Sequence, residues 1–142
     1  MIPAFRPDGY LPEGLHVADG AEVTFRFGSA TPRRRRLVLH LRLWLELAQK
    51  VGAQRFLIDG SFVTAKPNPD DIDAVLLLPM DFQSQLERDV DAALQLEQMF
   101  LTRRPEELFA AEDEGDWNEW FEFFSRTREV DGRRKGLVEI KI

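Results

Sequence analysis

Two carboxylates one residue apart, Asp71 and Asp73, stand at the head of an apolar run from Ile72 to Leu78 that Pro79 closes. The run is rich in aliphatic and β-branched residues, so it reads as a strand. Side chains alternate along a strand, so the two carboxylates are expected to point the same way while Ile72 enters the core. Ionised carboxylates side by side repel, and a divalent cation is the economical counter-charge. Oxygen-only ligands favour magnesium or manganese. Upstream, the short apolar run Phe56-Leu57-Ile58 reads as a second buried strand and ends at Asp59-Gly60-Ser61. Gly60 offers a backbone without a Cβ and Ser61 a hydroxyl, which suits close approach to a phosphate. A phosphate cradle beside a metal site serves phosphoryl or nucleotidyl transfer. Blander readings stand beside this one. Asp71 can simply cap a turn, and Asp70 can replace it in another register. Lys66 reads as a solvated loop lysine in preference to a phosphate ligand, and Asp59 as a turn residue.

The flanking elements must position these groups. Met1 to His16 carries Pro3, Pro7 and Pro12, and forms an extended arm, to about residue 18, lying on the core. Asp19 to Phe27 alternates partly like a strand, but Asp19 and Glu22 make a capping box, and a short helix is preferred. Thr31-Pro32 starts a helix that runs to about Val51 and stops at Gly52, with Leu37, Leu41, Trp44, Ala48 and Val51 as its buried stripe. Arg33 to Arg36 fill its first turn against the helix dipole. They read either as a solvated basic face or as a contact to phosphates. A single helix is predicted over Phe82 to Leu101, with Leu86, Val90, Ala93, Leu94 and Met99 inward, broken by Arg103-Arg104-Pro105. Glu106 to Ala111 is a third strand. Asp116 and Glu119 cap a helix whose Trp117, Trp120, Phe121 and Phe124 fall at core spacing. Asp131-Gly132 makes a turn, and Gly136 to Ile142 alternates like a last strand.

Gly60-Ser61, a spacer from Phe62 to Asp70, and Asp71-Ile72-Asp73 between apolar runs resemble the nucleotidyltransferase signature of the DNA polymerase beta superfamily. That superfamily includes minimal and aminoglycoside nucleotidyltransferases. The opening segment Ile2 to His16 and Gly60 to Lys66 also resemble a group of small uncharacterised bacterial proteins with this domain. The resemblance implies the nucleotidyltransferase fold, an α/β (α+β-like) domain with a small mixed sheet and helices mainly on one face. It implies that Gly60 and Ser61, with Lys66 nearby, hold a nucleoside triphosphate, and that Asp71 and Asp73 bind Mg2+ or Mn2+. A third acid on a neighbouring strand is implied as well. Glu107, placed by chain order, is favoured for it over Glu139. The implied activity moves a nucleoside monophosphate to an acceptor hydroxyl on a protein, an RNA or a small molecule. The alternative is a non-catalytic module of the same fold that binds a nucleotide or a protein, such as a toxin–antitoxin component.

Composition bounds these readings. The 142 residues make one domain, large enough for a real core. With 44% hydrophobic and 31% charged residues the chain has the balance of a soluble globular protein. It contains no Cys, which excludes disulfides, thiol nucleophiles and zinc-thiolate sites. His16 and His40 are isolated and read as structural. Nothing resembles a signal peptide or a membrane span, so a cytoplasmic protein without membrane partners is expected. The net charge of −6 argues against indiscriminate nucleic-acid binding. So short a chain has little room for a substrate domain, so a second copy or a partner protein is expected to complete the acceptor site.

Overall fold

The computed structural model describes residues 1–102 and 106–142. The prolines of the arm keep it irregular as far as Gly14, where it becomes a strand, β1 (Gly14–Ala18). This strand is absent from the expectation because its pairing is remote. It runs parallel to β5 (Gly136–Ile140), with Leu15 beside Leu137. The helix α1 (Gly20–Phe27) follows, with the Asp19 carboxylate accepting from the Glu22 backbone N–H at 2.7 Å. Glu22 does not close the capping box. Its carboxylate accepts from the Ile2 N–H at 2.7 Å and ties the arm to the body.

Helix α2 (Pro32–Val51) has the expected ends, Thr31 as cap and Gly52 in the left-handed region at φ 76°. Beyond it, β2 (Arg55–Asp59) runs antiparallel to β3 (Ile72–Leu77), and β4 (Glu106–Ala111) runs parallel to β3. Five strands form one mixed sheet in the order β1-β5-β2-β3-β4. Alternation divides its side chains between two cores. Phe56, Ile58, Ile72, Ala74, Leu76 and Val138 face α1, α2, α3 (Phe82–Glu87) and α4 (Asp91–Phe100). Leu57, Val75, Leu77 and Leu137 face Trp117 and Phe124 of α5 (Glu114–Ser125). The fold is therefore α+β, with four helices on one face and one on the other.

Three local expectations are corrected. The single helix over 82–101 is two, parted at Arg88 to Val90, where Asp89 adopts a left-handed φ of 57°. Aspartate is one of the few non-glycine residues that tolerate this conformation. The break re-phases α4, so Ala92, Ala93 and Leu96 are buried and Leu94 is exposed. Helix α5 begins earlier than expected, because Asp113, not Asp116, is its cap and accepts from the Asp116 N–H at 2.8 Å. The predicted breaker Arg103-Arg104-Pro105 lies outside the described residues. Among the described residues no helix is long and apolar enough to cross a membrane.

The arginine run is neither a solvated face throughout nor a row of phosphate contacts. Arg34 is buried and donates to four backbone carbonyls, those of Phe27 (3.0 Å), Phe62 (2.7 Å), Thr64 (2.6 Å) and Lys66 (2.6 Å). Arg33 donates to the carbonyls of Pro69 (2.9 Å) and Asp70 (2.6 Å). The basic first turn of α2 thus clasps the loop between β2 and β3, and these contacts outweigh the dipole conflict of a few tenths to about 1 kcal/mol. Replacing Arg34 by Met strands four carbonyls beside a buried apolar chain. Chemical denaturation of Arg34→Met is expected to show a loss of about 2–4 kcal/mol, since hydrogen bonds to charged groups are worth about 1.5–3 kcal/mol each and their losses are not additive. Arg36→Gln, at an exposed position, is expected to stay within about 0.5 kcal/mol of wild type.

Candidate functional site

The site forms where β2 ends and β3 begins. Gly60 has φ 89°, a conformation that L side chains rarely adopt. A Cβ there would lie 3.0 Å from the Asp71 carbonyl oxygen and 3.1 Å from Ile72 Cα. Glycine is thus required for the two strand ends to approach, whether or not a phosphate is present. Ser61 closes the turn. Its N–H and its hydroxyl each donate to Asp71 Oδ1 at 2.7 Å. The same hydroxyl oxygen accepts from the backbone N–H of Asp70 (2.8 Å) and of Asp71 (3.1 Å). Lys66 pairs with the Asp70 carboxylate within the loop.

Asp71 is engaged within the turn itself. It precedes β3, and Ser61 draws its carboxylate back into the turn, whereas Asp73 follows the strand's alternation onto the α5 side. Both still line one open cleft of about 960 Å³. Strand register adds two further acids. Asp73 stands opposite Asp59 on β2 and opposite Glu107 on β4. Asp59 and Asp73 line the cleft; Glu107 is adjacent in the sheet but not among the lining residues. The alternative third acid is remote: Glu139 sits beside Leu57, and Arg55 holds its carboxylate at 2.7 and 2.9 Å while stacking 4.5 Å from the Trp117 ring.

Two residues of this cleft were not foreseen as functional. Asp59, read as a turn residue, is the last residue of β2 and is buried. Lys135 Nζ lies 2.8 Å from its Oδ1. That contact is a charge-assisted ion pair to a buried carboxylate oxygen. The two-residue period from Leu57 places Asp59 on the Asp73 face, a usable sequence signal. Lys135 gave none, because only the fold brings it there.

Crowding sets the electrostatics. Burial, with the charges of Asp71, Asp59 and Glu107, pushes the Asp73 carboxyl up to about 7, and Lys135 only partly opposes this. Burial also pushes Asp59 up to about 6 against the pull of Lys135. The cleft thus concentrates negative charge beyond what the half-buried Lys135 offsets. Among the described residues no three His, Cys, Asp or Glu side chains converge closely enough to hold a metal by themselves. Magnesium usually binds one or two carboxylates and completes its shell with water and substrate phosphates. The oxygen donors of Asp71 and Asp73 fit that pattern, although Ser61 already engages one oxygen of Asp71.

The chain belongs to the family described as "Family of unknown function (DUF6932)", whose model matches residues 3–141. No curated protein and no solved structure matches.

A carboxyl whose pKa is higher folded than unfolded binds more protons in the folded state. Its penalty is absent below the ordinary value of 3.8, grows as pH rises through the window up to about 7, and is fully present above it. The metal-free protein is therefore expected to melt at lower temperature at pH 8 than at pH 5. Asp73→Asn is expected to raise the pH 8 value and reduce the difference; an unchanged slope would show that Asp73 is not under this strain. Ser61→Ala removes the hydroxyl that three loop groups share. Urea denaturation is expected to show a loss of about 1–2 kcal/mol, more than an exposed turn serine costs.

Proposed function

We propose that this protein is a metal-dependent nucleotidyltransferase. The observation that carries the reading is the set of carboxylates from adjoining strands, Asp59 and Asp73 in register with Asp71 beside them in one cleft and Glu107 next to Asp73 in the sheet, a crowding that favours a cation. Asp71 and Asp73 would hold magnesium or manganese, with water and substrate phosphates completing the shell, and Glu107 stands next to Asp73 in the sheet as the third acid. Such a metal, when bound, neutralises triphosphate charge and lowers the pKa of an acceptor hydroxyl. The hydroxyl oxygen bonds to the α-phosphorus of a nucleoside triphosphate as the bond to pyrophosphate breaks, and its proton passes to solvent in the open cleft. Gly60 and Ser61 shape the turn over which the triphosphate lies, the serine acting through the loop it holds. Lys135 keeps Asp59 ionised and the floor from excess repulsion.

One observation favours the second reading, a nucleotide- or protein-binding module without turnover. The Ser61 hydroxyl and one oxygen of Asp71 are already satisfied by each other and by the loop. Activity then requires the clasp to open when ligand arrives, whereas binding does not.

A triphosphate with magnesium or manganese is expected to raise the melting temperature through linkage. Asp73→Asn is expected to abolish the increment while leaving the metal-free protein at least as stable; an undiminished increment rejects Asp73 as a ligand. Incubation with labelled triphosphates, the metal and a cell extract then separates the readings. Label transferred to an acceptor selects the enzyme, and metal-dependent binding without transfer selects the module.

A further inference from the structure

The acidic floor makes a nucleotide's phosphates the difficult part of the ligand to accommodate, so the cations that face the cleft decide where they lie. Four cationic side chains line it: Lys66, Lys135, Arg126 and Arg128. Lys66 is paired with Asp70 and Lys135 with Asp59. Arg33 and Arg34, which reach the loop from α2, are consumed by backbone carbonyls. Arg126 and Arg128 remain. Both are exposed, in the segment that leaves α5 for β5, and neither side chain has a hydrogen-bond or ion-pair partner among the described residues. Beside them Phe123 lines the same cleft with 65% of its surface exposed, although Phe124 and Trp120 pack against it at 5.2 and 6.1 Å. A solvent-facing phenyl ring on a packed aromatic base, next to two unpaired guanidinium groups, is a surface complementary to a base with a polyphosphate tail.

We infer that Arg126 and Arg128 bind the phosphate tail of a nucleoside triphosphate and that Phe123 stacks its base. The assignment rests on the nucleotide reading of the cleft, and it moves phosphate recognition from Lys66 and the α2 arginines to the α5–β5 connection. Guanidinium groups suit this role because they are permanently charged and bind phosphate oxygens in pairs. They line the same cleft as the carboxylates, so one ligand can meet both sets of groups.

The test is calorimetric titration of the full chain, with magnesium, against non-hydrolysable analogues of the ribonucleoside triphosphates and, separately, inorganic tripolyphosphate. Arg126→Gln/Arg128→Gln is expected to weaken both ligands by about tenfold or more, as loss of even one charge-assisted hydrogen bond implies. Phe123→Ala is expected to weaken the nucleotide several-fold and leave tripolyphosphate unchanged. Arg36→Gln, which removes an exposed cation outside the cleft, is expected to change neither. If the double variant binds as wild type does, or if Arg36→Gln weakens binding equally, the arginine assignment is overturned while the nucleotide reading stands. Equal loss of both ligands in Phe123→Ala overturns the stacking role. If wild type binds no triphosphate, the nucleotide reading itself falls, and this assignment with it.

Discussion

Antiparallel pairing of β2 with β3 sets Asp59 directly opposite Asp73, and parallel pairing with β4 sets Glu107 on Asp73's other side. Like charges in a partly dry environment raise one another's pKa or require a counter-ion. The protein meets this constraint with one internal cation, Lys135, delivered from the segment just before β5. That delivery depends on β5 lying between β1 and β2, so the C-terminal strand is an inner strand of the sheet. The arm at the other end of the chain depends on the same placement, because β1 has β5 as its partner.

The loop above the carboxylates is fixed by a second set of contacts, and these contribute rigidity more than chemistry. Arg34 reaches from the first turn of α2 into the carbonyls of residues 62, 64 and 66, while Ser61 gathers Asp70 and Asp71 from the other side. A loop held this way keeps its shape without a ligand, which lowers the ordering cost of binding. The same economy uses up the groups most readily taken for ligand contacts. Ser61, Lys66, Arg33 and Arg34 have protein partners already, which is why the proposed phosphate contacts fall on Arg126 and Arg128.

The two sides of the sheet divide the work. The helices α1 to α4 cover the large apolar face and secure the strands. Among the described residues the opposite face carries α5 alone, and past the end of that helix the sheet is left open as the cleft. The carboxylates alternate onto the open face because Ile72 and Ile58 alternate onto the covered one. Burial of those isoleucines therefore fixes register as well as stability, since a one-residue slip would turn the acids into the core.

The strands β2 and β3, the bounds of α2 and the placement of β4 were legible in the sequence alone. These rest on short apolar runs, a capping threonine before proline and a terminal glycine, all local signals. It also marked Asp73 as an outward acid at a strand head, and chain order alone favoured Glu107 over Glu139 as its neighbour. What it could not supply was anything depending on partners far along the chain. The β1 strand, the break at Asp89, the pairing of buried Asp59 with Lys135 and the occupation of Arg34 by loop carbonyls are such cases. So is the turn of Asp71 toward Ser61, which a strand-alternation rule cannot foresee for a residue just outside the strand. Local patterns report what a segment prefers, whereas pairing of charges and carbonyls is settled only when remote segments meet in space.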